Sequence, residues 1–531
     1  MKRGSTMMFG LALTGLVATA LAPVGGAVAA PRPAPAAPGG EALHRVFDAT
    51  VDLRQAGLLR DVGLDREDVH VLGPAGQGKA KKSRVELVLT DRQARELRAK
   101  GLKLTERKPA EQKGQNDDGA RSRAQDARPP AGDGVFRPYS GPHGLAREIT
   151  EIAQAHPTLT KLVPIGQTSH GTRILAIKVT KDALKVKDGA RPAVLYISAQ
   201  HAREWITPEM TRRLLRHVLS NYSRDPAIKK LVDTQELWFI PVANPDGYDF
   251  SHTTDREWRK NTRDNDGNGV IEVGDGVDLN RNFATKWGYD NEGSSPVPFS
   301  DTYRGPAPSS EPETRAVDQL MRKIGFTFML NYHSAAELLL YGTGWQVATP
   351  SPNDVIYEAM AGDDENSAIP GYDPDLSAEL YTTNGEIDEH AGNAYGTLAF
   401  TAEMSTCQTA SAADPDDEFV PGDCGSVFTF PDSEALIQAE FEKNLPFALA
   451  VAGSVKTPDR PVSVVGRTTP DFVPDTFTAS YGDPQTVSVI ARTSLHHKKA
   501  YWTVNGGGEY SAPLQRWQGG ERYGKDPNTY Y

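Results

Sequence analysis

Apolar runs of strand length recur through the middle of this chain: "TRILAIKVT", "RPAVLYIS", "ELWFIPVAN", "FTFMLNYH" and "TLAFTAEM". Their apolar positions run on with little alternation. A strand with that pattern is covered on both faces. Helical stretches such as "PEMTRRLLRHVLSNY" and "SSEPETRAVDQLMRKIG" lie between some of the runs. Strands of this type alternating with helices give an α/β sheet with helices on both faces. In such sheets, sites form at the carboxyl ends of strands.

Three of the runs end in side chains suited to one metal ion. His201 and Glu204 follow the first, His333 ends the second and Glu403 ends the third. Two imidazoles and a carboxylate leave a fourth position on zinc for water, the pattern of a catalytic site. Zinc lowers the pKa of that water and polarises a bound carbonyl. Glu403, off the metal, suits the base that takes the water's proton. Thr207 reads as a helix cap, with Pro208 at the first helical position and Glu209 in the first turn. His201 to Glu204 then lie in the strand-to-helix loop. Taken singly, each piece is weak, because histidines and acids at strand ends are more often structural or solvated.

The rest of the 531 residues divides by composition. Residues 1–30 read as an export leader: Lys2 and Arg3, then an apolar stretch interrupted by Pro23, then "AVAA" as a small-residue cleavage site. This implies a secreted, extracellular protein with no membrane anchor after cleavage. In an exported chain Cys407 and Cys424 read as one disulfide; paired metal thiolates are the weaker alternative, since companion ligands are lacking. Residues 31–108 open with a Pro- and Ala-rich lead. "HRVFDATV", "DVHVLG" and "SRVELVLT" then precede the helical "TDRQARELRAKG", which makes a small α+β module. Residues 109–134 are polar and Arg-rich, an exposed linker with basic cleavage points. The main domain occupies 135–455. Residues 456–531 hold short strands between turns and read as an appended β domain, incomplete at "KDPNTYY". A net charge of −11 argues against nucleic acid as a partner.

The main domain resembles the zinc carboxypeptidases related to pancreatic carboxypeptidases A and B. "HAREWITPE", "NPDGYDFSHTTDREWRKN", "GVDLNRNF", "YHSAAELLLY" and "FTAEMS" occur in that family's order across roughly 135–450. The resemblance implies a mixed central sheet with helices on both faces. It implies Zn2+ on His201, Glu204 and His333, with Glu403 as general base and proton shuttle. Arg259 would stabilise the oxyanion, and Asn280 with Arg281 would clamp the substrate's terminal carboxylate. Arg203 would be an auxiliary substrate-binding residue and Tyr381 the mobile tyrosine that closes over substrate. These types suit the chemistry, because a guanidinium grips a carboxylate bidentately and can stabilise charge that develops in the transition state. The implied substrates are peptide and protein C-termini. The 31–108 module resembles the family's ferredoxin-like prodomain. That implies a zymogen released when an activating protease cuts the linker.

Two departures stand out. Ala335 occupies a position that is aromatic in the animal enzymes, and the stretch from Tyr381 to Ile387 is one residue shorter. By resemblance Ile387 floors the pocket for the terminal side chain and favours apolar C-termini. A shift of one residue would put the carboxylate of Glu386 or Asp388 there instead.

A further feature is "DNDGNGVIEVGD" at 264–275. Asp264, Asp266, Asn268 and Asp275 fall at positions 1, 3, 5 and 12 of an EF-hand-like loop, with oxygens suited to calcium. A plain Asx- and Gly-rich turn is the structural alternative. Two other functions share the fold class. A cell-wall peptide amidase is disfavoured by the intact "DLNRN", and a non-catalytic binding domain by the presence of all three metal ligands and Glu403.

Overall fold

The computed structural model describes residues 44–64, 68–75, 82–107, 134–347, 351–474 and 489–515. The leader and nearly all of the linker lie outside these.

An eight-stranded mixed sheet forms the centre of the main domain. Its strands are β5 (Thr160–Gln167), β6 (Arg173–Val179), β7 (Ala193–Ser198), β8 (Glu236–Ile240), β9 (Phe328–Ser334), β10 (Leu338–Tyr341), β11 (Asp373–Leu376) and β12 (Leu398–Met404). The spatial order is β11-β10-β12-β9-β7-β8-β6-β5. β7, β8, β9 and β12 run parallel to their partners within the centre, while β5, β6 and β10 make antiparallel pairs. This is the mixed α/β sheet expected from the sequence.

β7 shows why its residues form a two-sided strand. Val194 and Tyr196 enter one core cluster, whereas Ala193, Leu195 and Ile197 enter the other. Successive side chains alternate faces, so a strand buried on both sides must be apolar at both. The first face is covered by α3 (Leu145–Ala155), α4 (Ile206–Asn221) and α7 (Glu434–Ser454); the second by α5 (Pro312–Ile324) and α6 (Ile387–Tyr395).

The N-terminal module has its own core. β1 (His44–Val51), α1 (Leu53–Asp61), β2 (Val69–Pro74), β3 (Ser83–Thr90), α2 (Asp91–Ala99) and β4 (Leu104–Glu106) form an antiparallel sheet in the order β2-β3-β1-β4. Phe47, Ala49 and Val51 of β1 alternate with solvent-side residues and meet Val85, Leu87 and Leu89 of β3 under Ala94 and Leu97 of α2. Thr90 caps α2 in a reciprocal box with Gln93, and Gly101 follows the helix at φ +88°, as a left-handed stop requires. Beyond residue 456 the described residues form two antiparallel pairs, β13 (Phe472–Pro474) with β14 (Val489–Ala491), and β15 (Lys499–Thr503) with β16 (Glu509–Pro513). Cys407 and Cys424 are joined in a disulfide. Closing a loop of that length stabilises by about 3 kcal/mol.

Candidate active site

The carboxyl ends of the central parallel strands gather the site. β9 and β12 pair in register so that Glu403 lies directly opposite His333. β7 ends beside β9, and the chain turns out of it at Ala199, whose φ of +50° is unusual for a residue with a side chain. Thr207 holds that turn. Its hydroxyl accepts the Ala199 N–H at 3.1 Å and donates to the Glu204 carbonyl at 2.9 Å. Thr207 is therefore not the cap that its sequence position suggests. α4 begins one residue earlier, at Ile206, and the hydroxyl is spent on the loop that carries His201 and Glu204.

His201, Glu204 and His333 are all buried, with ligand atoms within 4.8 Å of one another. The two Nδ1 atoms face each other at 3.0 Å, although they cannot bond well without a proton between them. Glu204 Oε1 is 2.7 Å from His201 Nδ1. Its Oε2 lies 3.1 Å from His333 Nδ1 yet makes no hydrogen bond. Buried acceptors aimed at a common point rather than at donors fit a divalent cation, and the two-imidazole, one-carboxylate set suits zinc. Burial would raise the Glu204 pKa, but the charges of His201 and His333 hold it well below the usual carboxylate range. Burial likewise opposes protonation of His333, yet Glu204 lifts it to about 9. The cluster thus favours positive charge at its centre.

Each imidazole is oriented from behind. His201 Nε2 lies 3.2 Å from Asp278 Oδ1, and His333 Nε2 lies 3.2 Å from Gln200 Oε1. The Gln200 oxygen also accepts from Asn331 Nδ2 at 3.2 Å. With acceptors on Nε2, both rings turn an Nδ1 lone pair to the metal position.

Asp278 is a hub. Its Oδ2 accepts from Arg259 Nε at 3.1 Å and Nη2 at 2.9 Å, and its Oδ1 accepts the Asn280 N–H at 2.8 Å. Burial opposes its ionisation, but Arg259, His201 and Arg281 keep it well below the usual range. The Asn280 side chain in turn accepts the Ile387 N–H at 2.9 Å, and the Arg281 guanidinium lies 6.0 Å from the Tyr381 ring. Arg259, Asn280 and Arg281 are thereby tied to Asp278 behind the metal cluster, with the Tyr381 ring beside Arg281. Arg203 is fully buried, 3.2 Å from Asp301 and stacked 4.0 Å over Phe428. Ile387, expected at an apolar pocket floor, has no exposed surface and packs in the core with Phe283 and Ala391.

The 264–275 loop brings Asp264, Asp266 and Asp275 within 4.8 Å. Its carboxylates are engaged by its own backbone. Asp264 accepts from Gly267 and Gly269, and Asp275 accepts from Asn265 and Glu272. Asn268 turns its amide N–H toward Asp266 and Glu272.

Sequence reasoning missed Gln200 and Asp278. Their partners lie 133 and 77 residues away, so no local pattern announces them. The one available signal is Asn331, a polar residue that interrupts the apolar run of its strand before His333.

The zinc carboxypeptidase family model matches residues 145–435. The chain is 29% identical to the metallocarboxypeptidase A-like protein of Trichophyton verrucosum over 301 residues, 55% of this chain and 68% of that protein. It is 37% identical to carboxypeptidase A6 of Mus musculus over 216 residues, 40% of this chain and 47% of that protein. The match thus spans about half the length of the mammalian relative. Among solved structures, the carboxypeptidase A from Helicoverpa armigera shares the fold, with a TM-score of 0.57 at 23% identity over 78% of this chain and 99% of that one.

Proposed function

The chain belongs to the zinc carboxypeptidase family, and on that premise we propose that it removes single residues from the C-termini of peptides and proteins with one bound zinc ion. The observation that carries this reading is the buried convergence of His201 Nδ1, His333 Nδ1 and the Glu204 carboxylate, with Asp278 joining it to Arg259 and Asn280.

His201, Glu204 and His333 would hold the zinc, which supplies Lewis-acid polarisation of the scissile carbonyl and a lowered pKa for water. Glu403, opposite His333, takes the proton of the attacking water and delivers it to the departing amine. Arg259, held rigid by Asp278, meets the negative charge that develops on the carbonyl oxygen. Asn280 and Arg281 receive the substrate's terminal carboxylate, and Tyr381 closes over it. Arg203 is an auxiliary substrate-binding residue beside the metal. A preference for apolar C-termini belongs to the same proposal, with Ile387 as the pocket floor; its side chain is buried beside Phe283 and Ala391.

Secretion through the 1–30 leader and a zymogen opened by an activating protease belong to the same proposal. The zymogen part is supported by module contacts to the loops beside Arg203: His44 meets Asp255, and Glu86 accepts the Val427 N–H. No helix among the described residues is long and apolar enough to cross a membrane. A calcium ion on Asp264, Asp266 and Asp275 is a separate proposal. It expects a melting temperature several degrees higher in calcium than in a calcium chelator, and equal values would remove it.

The deciding experiment incubates zinc-loaded protein, before and after linker cleavage, with matched peptides ending in a free carboxylate or an amide. Loss of one C-terminal residue, from free carboxylates alone, is expected. Glu403→Gln should lower kcat by on the order of 10²- to 10⁴-fold, and chelation should abolish turnover until zinc returns. Trimming of amidated peptides, or internal cleavage, would overturn the exopeptidase reading; full activity of the uncut precursor would overturn the zymogen.

A further inference from the structure

Three further side chains, none with a role in the reaction above, stand in line. Thr285 Oγ1 lies 2.8 Å from His390 Nδ1, and His390 Nε2 lies 2.7 Å from Asp318 Oδ1. They come from three separate places: the turn after Phe283, α6 and α5. The proton positions follow from the partners. An ionised carboxylate can only accept. Hydrogen bonds from His390 and from Tyr395, whose hydroxyl donates to the same Oδ1 at 2.6 Å, hold Asp318 below the usual carboxylate range. His390 therefore carries its proton on Nε2 and turns the Nδ1 lone pair to Thr285. The Thr285 hydroxyl must then donate to that lone pair. A hydroxyl donating to an imidazole whose other nitrogen is bonded to a carboxylate is the arrangement that activates an alcohol as a nucleophile.

The surroundings fit that role. The His390 ring is 5% exposed and packs against Phe283 and Tyr395, at centroid distances of 5.5 Å each, so it is held in place. Thr285 is only half-buried, at the tip of a turn that the Trp287 N–H closes on the Ala284 carbonyl at 3.5 Å. Lys286, next in the turn, has a φ of +53°, unusual for a residue with a side chain. Its ammonium lies 3.8 Å from the centre of the Trp345 ring, which pins the turn. The Thr285 and Lys286 N–H groups donate to no described residue. Two successive N–H groups beside a nucleophile suit the oxygen of an acyl group under attack.

The geometry points to a second, metal-independent acyl-transfer site, with Thr285 as nucleophile, His390 as its general base, Asp318 as the residue that orients the base, and a small activated acyl ester as substrate. His390 Nδ1 takes the Thr285 proton as Oγ1 bonds to the acyl carbon. The ester C–O bond breaks, and the leaving oxygen takes its electron pair and then the proton from His390. Water, activated by the same base, later frees the acyl group from Thr285. The test treats the full chain, zinc-loaded or chelated, with p-nitrophenyl acetate. It follows p-nitrophenolate release and maps the acetyl group by peptide mass spectrometry after an acid quench. Acetyl on Thr285 is expected, at similar rates with and without zinc and in Glu403→Gln, which silences the metal site. Thr285→Val and His390→Gln should each slow release by the chelated protein by on the order of 100-fold, and Thr285→Ser should retain it. Asp318→Asn, which favours the wrong tautomer, should also slow it. Peptide trimming by zinc-loaded Thr285→Val should be unchanged, which shows that the variant is folded. No zinc-independent release by the wild type overturns the inference even if a variant misfolds, and leaves the carboxypeptidase reading intact. Acetyl on Lys286 instead of Thr285, or release that neither substitution slows, also overturns it.

Discussion

At the scale of single residues, the metal cluster depends on groups that never touch the metal. Gln200 Oε1 accepts from both His333 Nε2 and Asn331 Nδ2, so the amide is pinned and fixes the ring's tautomer. Gln200→Leu removes the acceptor and leaves the Nε2–H buried without a partner. Zinc affinity, read by competition with a chelator, should fall by roughly 10- to 100-fold. Gln200→Glu, which restores an acceptor, should recover most of it. Equal affinities for wild type and Gln200→Leu would show that strand packing alone orients His333. Because the readout is binding, the result stands apart from any question of substrate.

At the scale of elements, the site was legible wherever a side chain's job is written by its own neighbours in sequence. Apolar runs that stop abruptly at His201, His333 and Glu403 identify strand ends, and strand ends in a parallel sheet are where sites form. The capping box of α2 and the alternating core of β1 are likewise local. What was not legible depends on distant partners. Thr207 has the chemistry of a cap, but Ala199, eight residues back across the turn, claims its hydroxyl. Ile387 has the chemistry of an apolar pocket wall. As the first residue of α6 it shares a face with Ala391, four residues on, and that face is the core. The carboxylates of the 264–275 loop read as cation ligands from their spacing alone, but that Asp264 and Asp275 also accept from the loop's own backbone was not legible there.

At the scale of the whole molecule, the module and the main domain meet through titratable groups, so their association responds to pH. His44 Nδ1 lies 2.7 Å from Asp255 Oδ2, with Asp301 and Arg203 also facing it. Burial would lower its pKa, but Asp255 and Asp301 hold it above the ordinary value. Glu86 is fully buried, paired with Arg107 of its own module, faced by Glu257 and bonded to the Val427 N–H; burial lifts it to about 7. Next to that contact, the His70 ring meets Phe428 edge-on at 4.9 Å, and Phe428 carries Arg203. Both shifted groups hold a proton more tightly in the docked state than they would in open solvent. The His44 contribution is complete below its ordinary 6.5 and fades as pH climbs through its raised value. The Glu86 contribution is complete below its ordinary 4.5 and fades as pH climbs through about 7. The two add in one direction. After the linker is cut, the module should bind on the order of tenfold or more tightly at pH 5.5 than at pH 8, measured as the dissociation constant of the nicked complex. His44→Ala should weaken binding at the acidic end and flatten the curve, leaving the smaller slope due to Glu86. A dissociation constant that is constant across that range, or that falls as pH rises, would mean that neither proton is linked to docking and that cleavage of the linker alone governs release.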